Sequence, residues 1–497
     1  MVVRDGVIEA VGSEVGLQAR EADEHIDLQG KWVMPGFNDA HIHVWKVGQL
    51  ESFIVDLRGI ESIAAIQNKL KSIAKALPAG SWIQGRGYNE QVLQDKRMPN
   101  KDDLDAISLE HPIYLIRTCA HIASVNSKSL TVAHVTNHAQ APAGGVIGKD
   151  QSGELTGIFY ETALGLIASH IPSPSKEDYK QMICLGAQKL LRAGVTSATD
   201  PAVHPELLQA YKELYEQGEL PIRMNLMPIL LPDGGHRPYP VPQKFESDWL
   251  IINTVKFFSD GGLSGKTAAL NRSYKNSNDK GVLRLQRDAF LMFARQAQQQ
   301  GFRIGTHAIG DAALDLVIDV YQELSRDFGN TRNRIEHFGL PSPKHVQDVA
   351  SYGFIPVPQT IFINELGENF MAAVDDDYLK RCYPVRSLLD KNITVAFSTD
   401  APVVKNINPW LGIQTAITRK TALGSVIAAS ESITVKEALL AYTLGSAYAE
   451  QRETNKGKLA PGYWADFIVL DKNPYKIPTE SLSDIKVEAT YLAGIKR

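Results

Sequence analysis

Residues 36–45 read GFNDAHIHVW, and this short stretch carries the first indication of the fold. Alternate side chains of a β-strand share a face, so His41 and His43 would point the same way, about 7 Å apart. Both imidazoles would then lie at the end of a strand that follows the turn-forming residues Pro35 and Gly36. The pattern predicts a first core strand whose end presents two nitrogen ligands.

The middle of the chain repeats one theme, a short apolar strand followed by an amphipathic helix. Helical spacing is clear in ALDLVIDVYQELSRDF, residues 313–328. Eight strands that alternate with such helices predict an α/β fold, a (β/α)8 TIM-like barrel. An open doubly wound sheet is the alternative, but no GxGxxG follows the first strand. The eight predicted strands are residues 35–43, 194–201, 221–229, 253–261, 301–311, 333–339, 353–360 and 392–402.

Three segments depart from this rhythm. The gap after the first strand is far longer than one barrel helix needs, so residues of about 46–185 are read as a large insertion. We expect it over the C-terminal mouth of the barrel, where loops carry function. Residues 1–34 and 455–497 both read as short strands between Gly and Pro turns, and neither can bury an apolar face alone. They predict a small β-sandwich domain built from both termini, beside a barrel over residues 35–454.

Charge and cysteine content exclude several classes of partner. The 497 residues include 52 Lys and Arg and 56 Asp and Glu, for a net charge of −4. This balance, without a basic block, argues against nucleic acid or an anionic membrane as the partner. No apolar run of about 18 residues occurs, so no membrane span is expected. Cys119, Cys184 and Cys382 have no paired spacing, which favours a reducing compartment. We expect a cytoplasmic protein with a small-molecule substrate, and leave a homodimer and a longer N-terminal leader open.

Polar side chains at the ends of the predicted strands form the candidate site. Barrel enzymes carry their chemistry at the carboxyl ends of the strands. Imidazole and carboxylate ligands suit one or two divalent cations, with zinc the best match. Burial lowers the pKa of a lysine amine, and a neutral amine can take up carbon dioxide to give a carbamate that bridges two cations. The candidate ligands are His41, His43, Lys256, His307, His337 and Asp400.

Seven stretches occur in order along the chain: MPGFNDAHIHVW, GVTSATD, VKFFSDGG, GTHAIGDAALD, RIEHFG, AFSTDAP and GKLAPGYWADFIVLD. Together they resemble the metal-dependent amidohydrolase superfamily, and in particular the branch that includes N-substituted formamide deformylases. The resemblance covers essentially the whole chain. It implies that the HxH histidines, a carbamylated lysine, two later histidines and an aspartate hold one or two metal ions. These roles fall on the six candidate ligands, and the lysine is the position at which branches of the superfamily differ.

Individual residues also have other interpretations. Asp400 could cap the following helix, a common use of aspartate, and Lys256 could form a salt bridge with Asp260. Four further side chains are expected to bind the substrate. Three lie in the insertion and one ends the seventh predicted strand: Tyr88, Arg117, His121 and Gln359.

The combined site predicts metal-dependent hydrolysis of a carbon–nitrogen bond, of an N-substituted formamide or another N-acyl compound. A metal-activated water would attack the carbonyl carbon, and Asp400 would accept and pass on its proton. His337 or His121 would help to hold the developing oxyanion. Two alternatives stay open. One is hydrolysis of an ester or lactone, or a deamination, on the same scaffold. The other is a non-catalytic regulatory or binding protein.

Overall fold

The computed structural model describes residues 1–13, 23–90, 92–117, 122–142, 145–232 and 238–497, without the side chains of residues 161 and 162. The chain divides into two compact units. One contains Met1–Val44 and Gly186–Arg497, and the other contains Trp45–Leu185. Each unit is described by itself below.

The strands and helices are numbered along the chain. The strands are β1 Val2–Arg4, β2 Val7–Ala10, β3 Trp32–Pro35, β4 Phe37–Asp39, β5 Val55–Asp56, β6 Ile83–Tyr88, β7 Ile113–Arg117, β8 Ile122–Val125, β9 Gly145–Lys149, β10 Leu155–Glu161, β11 Val195–Val203, β12 Arg223–Pro228, β13 Phe245–Glu246, β14 Leu250–Ile252, β15 Thr254–Phe258, β16 Arg303–Ala308, β17 Arg334–His337, β18 Ile355–Val357, β19 Phe467–Leu470, β20 Val487–Leu492 and β21 Ile495–Lys496. The α-helices are α1 Val44–Ser52, α2 Ile63–Ala74, α3 Lys101–Asp105, α4 Ser127–Val132, α5 Gly165–Ala168, α6 Lys176–Arg192, α7 Pro205–Glu216, α8 Arg287–Gln299, α9 Asp311–Phe328, α10 Pro343–Tyr352, α11 Ile361–Ala373, α12 Asp376–Leu379, α13 Val385–Leu389, α14 Pro409–Thr418, α15 Val435–Leu440 and α16 Ser446–Ala449.

Parallel strands of the larger unit form a ring. Strand β11 pairs in parallel with β4 on one side and with β12 on the other. A parallel bridge between Ile229 and Lys256 joins the end of β12 to β15. Strands β15, β16, β17 and β18 then pair in parallel in that order. Strand β11 is buried along almost its whole length, as expected of a strand covered on both faces.

The eighth predicted strand has a different form. Residues 393–400 carry no regular ladder, yet they close the ring through single hydrogen bonds. The amide of Ala396 donates to Pro356, and the amide of Ala40 donates to Phe397. The Asp39 carboxylate replaces part of the missing ladder because it accepts bonds from both the amide and the hydroxyl of Thr399. The sequence pattern predicted where this segment lies, but it did not predict that the Asp39 side chain would replace part of the backbone ladder.

The two chain ends meet in small sheets. Strand β3 pairs antiparallel with β19, and β19 pairs with β20, within a four-stranded sheet. Strands β1 and β2 form a separate pair, which a bridge from Val7 to Trp464 joins to the C-terminal segment. Apolar side chains from both ends form one cluster: Ile8, Ala465, Phe467, Val469 and Tyr491.

The unit of Trp45–Leu185 has its own sheet, in the order β5, β6, β7, β8, β10, β9. The first three strands are parallel and the others antiparallel. Asn126 is the N-cap of helix α4, because its side chain accepts a hydrogen bond from the amide of Ser129. The same side chain also accepts one from the amide of Ile113 in β7. This unit therefore carries local caps and an apolar core of its own.

The helices of the larger unit are amphipathic. Helix α9 follows Gly310 and ends before Gly329, whose φ of 70° suits glycine. Its buried residues recur every three or four positions, the spacing of one helix face. They are Asp311, Ala313, Leu314, Val317, Ile318, Val320, Tyr321 and Leu324. Among the described residues, no helix has both the length and the apolar character needed to cross a membrane.

Candidate metal centre

Five of the six predicted ligands follow or end elements of the ring. His307 lies in β16 and His337 ends β17, while Asp400 ends the closing segment. Strand β4 ends at Asp39, so the HxH pair lies just beyond the strand rather than within it. The strand alternation assumed from the sequence is therefore wrong in detail. The carboxyl ends of parallel strands still bring these residues to one end of the ring.

The side chains meet closely. The Oδ1 atom of Asp400 lies 3.5 Å from Nε2 of His41 and 3.5 Å from Nε2 of His43. The ring centroids of His41 and His337 are 5.0 Å apart, and those of His307 and His337 are 4.3 Å apart. One ligand atom from each of His41, His337 and Asp400 lies within 4.8 Å of the others. Three donors at this spacing can converge on one cation.

A buried ion pair orients His41. Its Nδ1 lies 2.5 Å from Oε2 of Glu336, and Arg334 holds Glu336 through two bonds of 2.8 and 3.0 Å. Burial by itself would raise the pKa of Glu336, but the charge of Arg334 and the bond to His41 hold it below its ordinary value. Burial lowers the pKa of His41 to about 4. His41 is therefore neutral: its Nδ1–H donates a hydrogen bond to the Glu336 carboxylate, and its Nε2 is directed at Asp400.

Gln359 orients His337 in the same way. The Oε1 atom of Gln359 lies 2.7 Å from Nδ1 of His337, and its Nε2 donates to Val357 and Ser398. Burial lowers the pKa of His337 well below its ordinary value. Gln359 was expected to bind the substrate, but the structure places it, fully buried, against the imidazole. Its amide thereby leaves Nε2 of His337 as the metal-binding nitrogen.

Nε2 is the nitrogen through which the protein holds His307. Its Nε2 lies 3.1 Å from the carbonyl oxygen of Gly261 and 3.3 Å from Oδ1 of Asp260. The Asp260 carboxylate also accepts the amides of Ala269, Ile309 and Gly310. Nδ1 is therefore the nitrogen that His307 can offer to a cation.

Lys256 is completely buried in β15. Within the described part of the chain, its Nζ has no hydrogen-bond partner, and it lies 4.6 Å from the centre of the Phe258 ring. Burial lowers the pKa of this amine to about 8. No ion pair between Lys256 and Asp260 is formed among the described residues, so that alternative is not supported. A buried nitrogen of this kind, next to neutral imidazoles and a carboxylate, fits a centre that holds a divalent cation.

A cavity of about 220 Å³ opens beside these ligands. Its wall is mainly apolar and includes one face of helix α11, where Phe362, Leu366 and Phe370 lie four residues apart. Tyr383 adds an aromatic ring with a hydroxyl, and burial raises the pKa of that hydroxyl well above its ordinary value. The remaining lining residues are Phe258, Gly262, Leu263, Ser264, Ile309 and Val403, with four of the imidazoles and Asp400.

The predicted substrate residues of the insertion are placed as follows. Tyr88 is fully buried, and its hydroxyl lies 2.9 Å from the Ser124 hydroxyl in the core of its own unit. Arg117 forms two bonds of 2.7 Å to Glu90. His121 lies outside the described residues. Contact of these three side chains with a substrate stays a prediction.

Sequence reasoning missed Glu336, Arg334 and Tyr383. Glu336 was visible in RIEH, directly before a predicted ligand, and alternation with Arg334 could have marked it as buried. His337 itself has a φ of 72°, a left-handed value that turns its side chain out of the strand alternation. Asp400, with a φ of 55°, and Tyr383, with a φ of 49°, share this feature. Such strained residues concentrate at functional sites.

Comparisons with known proteins concern the whole chain rather than these side chains. A sequence profile of the amidohydrolase family matches residues 24–495. The Bacillus subtilis (strain 168) protein YtcJ, named as an amidohydrolase, is 29% identical over 507 residues, covering 99% of this chain and 94% of its own. An N-substituted formamide deformylase of Arthrobacter pascens is 27% identical over 521 residues, which cover 100% of this chain and 94% of the deformylase. The crystal structure of an uncharacterized metal-dependent hydrolase from Pyrococcus horikoshii OT3 has a TM-score of 0.79 at 28% identity. The match covers 96% of this chain and 94% of the hydrolase.

Proposed function

Because this chain belongs to the amidohydrolase family, we propose that it hydrolyses a carbon–nitrogen bond of the amide type in a small molecule. That the protein is an amidohydrolase enzyme follows from the family and from its hydrolase relatives. The observation that carries the finer proposal is the position of Asp400, 3.5 Å from Nε2 of both His41 and His43. A carboxylate there lies beside both imidazoles and can move a proton to and from a reacting water.

In the proposed hydrolysis, each site residue has its own role. When bound, a divalent metal ion would lower the pKa of water and polarise a carbonyl oxygen. Asp400 takes one proton from the attacking water and delivers it to the departing nitrogen. The water oxygen joins the acyl carbon, the carbon–nitrogen bond breaks, and a carboxylic acid and an amine leave. His41, His43, His307 and His337 would hold the metal ion. Because Gln359 takes Nδ1 of His337 and the metal would take Nε2, His337 has no N–H left to donate to the developing oxyanion.

Lys256 belongs to a second part of this proposal. Its buried Nζ would react with carbon dioxide to give a carbamate and release one proton. The carbamate is an anion with two oxygens. Such a carbamate would offer its two oxygens as ligands for divalent cations. The burial of Nζ without a described hydrogen-bond partner supports the carbamate.

The substrate class rests on two observations. The cavity is small and mainly apolar apart from the metal-site residues, which suits an uncharged amide with a compact apolar substituent. A relative that aligns with the whole chain is named as an N-substituted formamide deformylase, so formamides are the first compounds to test. An ester or lactone could occupy the same cavity and is the competing candidate.

A paired substrate panel tests the proposal. The zinc-loaded protein would be assayed against matched formamides, acetamides and formate esters that carry the same aryl or alkyl group. We expect faster turnover of the amides and loss of turnover after chelation, with recovery when zinc is restored. Turnover of the esters alone would contradict the amide assignment while leaving a metal-dependent hydrolase.

A further inference from the structure

One polar group on the cavity wall has no role in the chemistry described so far. The side chain of Tyr383 is 0% exposed and lines the cavity together with His337 and Asp400. Within the described residues, its hydroxyl has no hydrogen-bond partner. An unsatisfied buried hydroxyl is destabilising, so its retention in the wall of a site indicates a partner that binds there.

The ring is held firmly in this position. Phe362 packs edge-on against it with centroids 6.1 Å apart, and Phe370 lies 6.2 Å away. The Tyr383 amide donates to the carbonyl of Gly339 over 2.8 Å, and the buried Arg419 donates to the Tyr383 carbonyl over 3.2 Å. Tyr383 thus adopts its left-handed φ of 49° against an intrinsic steric cost. The backbone is strained at a residue whose hydroxyl is otherwise unused, which favours a functional position.

The neighbours of the hydroxyl define what it can bind. Most of the nearby wall is apolar, so few protein groups compete for the hydrogen bond. Asp400, which moves the proton in the proposed reaction, lines the same cavity. A neutral phenol is a good donor to an oxygen that gains negative charge, and a water-poor site strengthens this interaction.

We propose that the Tyr383 hydroxyl donates a hydrogen bond to the substrate carbonyl oxygen and to the oxyanion formed from it, an inference that rests on the amide hydrolysis proposed above. Tyr383 keeps its proton throughout and forms no covalent bond. It is then a catalytic residue that binds the transition state more tightly than the ground state.

The variant Tyr383→Phe removes only the hydroxyl, and the chain offers a matched control. Tyr442 is also 0% exposed, and in the described structure its hydroxyl likewise has no partner. Its ring packs on Phe37 and Phe397, and Tyr442 is not among the residues that line the cavity. Tyr442→Phe therefore makes the same change at the same burial, away from the cavity wall.

The zinc-loaded full-length proteins would be compared with p-nitroformanilide as substrate and phenylphosphinate as a tetrahedral inhibitor. For Tyr383→Phe we expect kcat/KM to fall by about 10²-fold, mostly through kcat. The inhibition constant of phenylphosphinate should rise by about tenfold or more. Zinc content and the thermal midpoint should not fall, because the lost hydroxyl had no described protein partner. Tyr442→Phe should leave all four quantities near the wild-type values.

Three outcomes would overturn the inference. Wild-type kcat/KM in Tyr383→Phe would show that the hydroxyl is not used. A loss of zinc or of stability that accompanies the loss of activity would indicate a structural role. A wild-type protein that hydrolyses esters but no amide would instead overturn the proposed function, and this inference with it.

Discussion

At the scale of single residues, the contact between Glu336 and His41 controls how the first ligand is presented. Glu336 is completely buried, and its carboxylate both accepts a hydrogen bond from the His41 ring N–H and pairs with Arg334. Changing Glu336 to Gln keeps the shape but removes the charge. Loss of such a supporting contact typically lowers metal affinity by about 10–100-fold.

We therefore expect Glu336→Gln to weaken zinc binding by about that factor, measured by competition with a chromogenic chelator. Glu431→Gln is the control, because Glu431 is also buried but accepts bonds from Ser387 instead. Equal zinc affinity in Glu336→Gln and wild type would contradict the role given to Glu336.

Cys382 gives a second prediction at this scale. Burial raises the pKa of its thiol to about 12. A higher pKa favours the protonated thiol, so at pH 8 the reactive thiolate is about 10³-fold rarer than at an ordinary cysteine. Iodoacetamide should leave Cys382 unlabelled in the folded protein and label it in urea, as read by peptide mass spectrometry. Labelling at equal rates in both states would contradict this account.

The ligand residues could be predicted from the sequence because histidine and aspartate at strand ends are few and chemically distinctive. Tyr383 could not, since a tyrosine in a loop has no pattern that marks a catalytic use. Its position depends on contacts with Gly339 and Arg419, residues 44 and 36 positions away along the chain. Gln359 lies two residues beyond the end of β18 rather than at its end, and its partner could be identified only from the structure.

At the scale of elements, a close approach fixes the loop after β15 against the start of α9. A Cβ atom at Gly310 would lie 1.9 Å from the carbonyl oxygen of Ala269, and that oxygen also accepts the amide of Ala312. Gly310→Ala would push the loop from the helix and disturb Asp260, which binds the Gly310 amide. We expect a fall of several degrees in the thermal midpoint by calorimetry.

Gly262→Ala provides the comparison, because an added Cβ there would meet no atom within 4 Å. It lies in the same loop and should keep the wild-type midpoint. If both variants melt at the wild-type temperature, the loop is not fixed by this contact.

The alternation of short strands and helices was sufficient to locate the ring elements in the sequence. The form of the closing segment was not, because it depends on the Asp39 carboxylate, which accepts hydrogen bonds from the amide and the hydroxyl of Thr399, 360 residues away. Similarly, β4 is only three residues long, so the HxH pair lies beyond it. Hydrophobic pattern predicts that a segment is buried, but it does not predict which side chain takes a backbone bond.

At the scale of the whole molecule, the amidohydrolase family match and the similarity to a solved metal-dependent hydrolase confirm the general prediction of a TIM-barrel fold with an additional domain. Within the larger unit, a buried ion pair joins β12 to the terminal sheet. Arg223 donates to Asp466 over 2.6 and 3.1 Å, and its guanidinium lies 4.0 Å from the centre of the Trp464 ring. The chain ends thus contribute directly to the stability of the ring.

Asp466→Asn would leave the Arg223 charge buried without its counter-ion, a change that typically costs about 3–5 kcal/mol. We expect that loss in the free energy of unfolding, measured in urea. Asp390→Asn breaks the exposed pair with Arg386 and should cost no more than about 1 kcal/mol. Similar losses in the two variants would refute a specific coupling through Asp466.

The central claim is that the histidines and Asp400 hold the metal on which hydrolysis depends. Anomalous diffraction at the zinc edge, from crystals of the active zinc-loaded protein, tests it most directly. The account predicts a peak about 2.0–2.2 Å from Nε2 of His41, Nε2 of His337 and the Asp400 carboxylate. An active crystal with no peak among these three residues would contradict it.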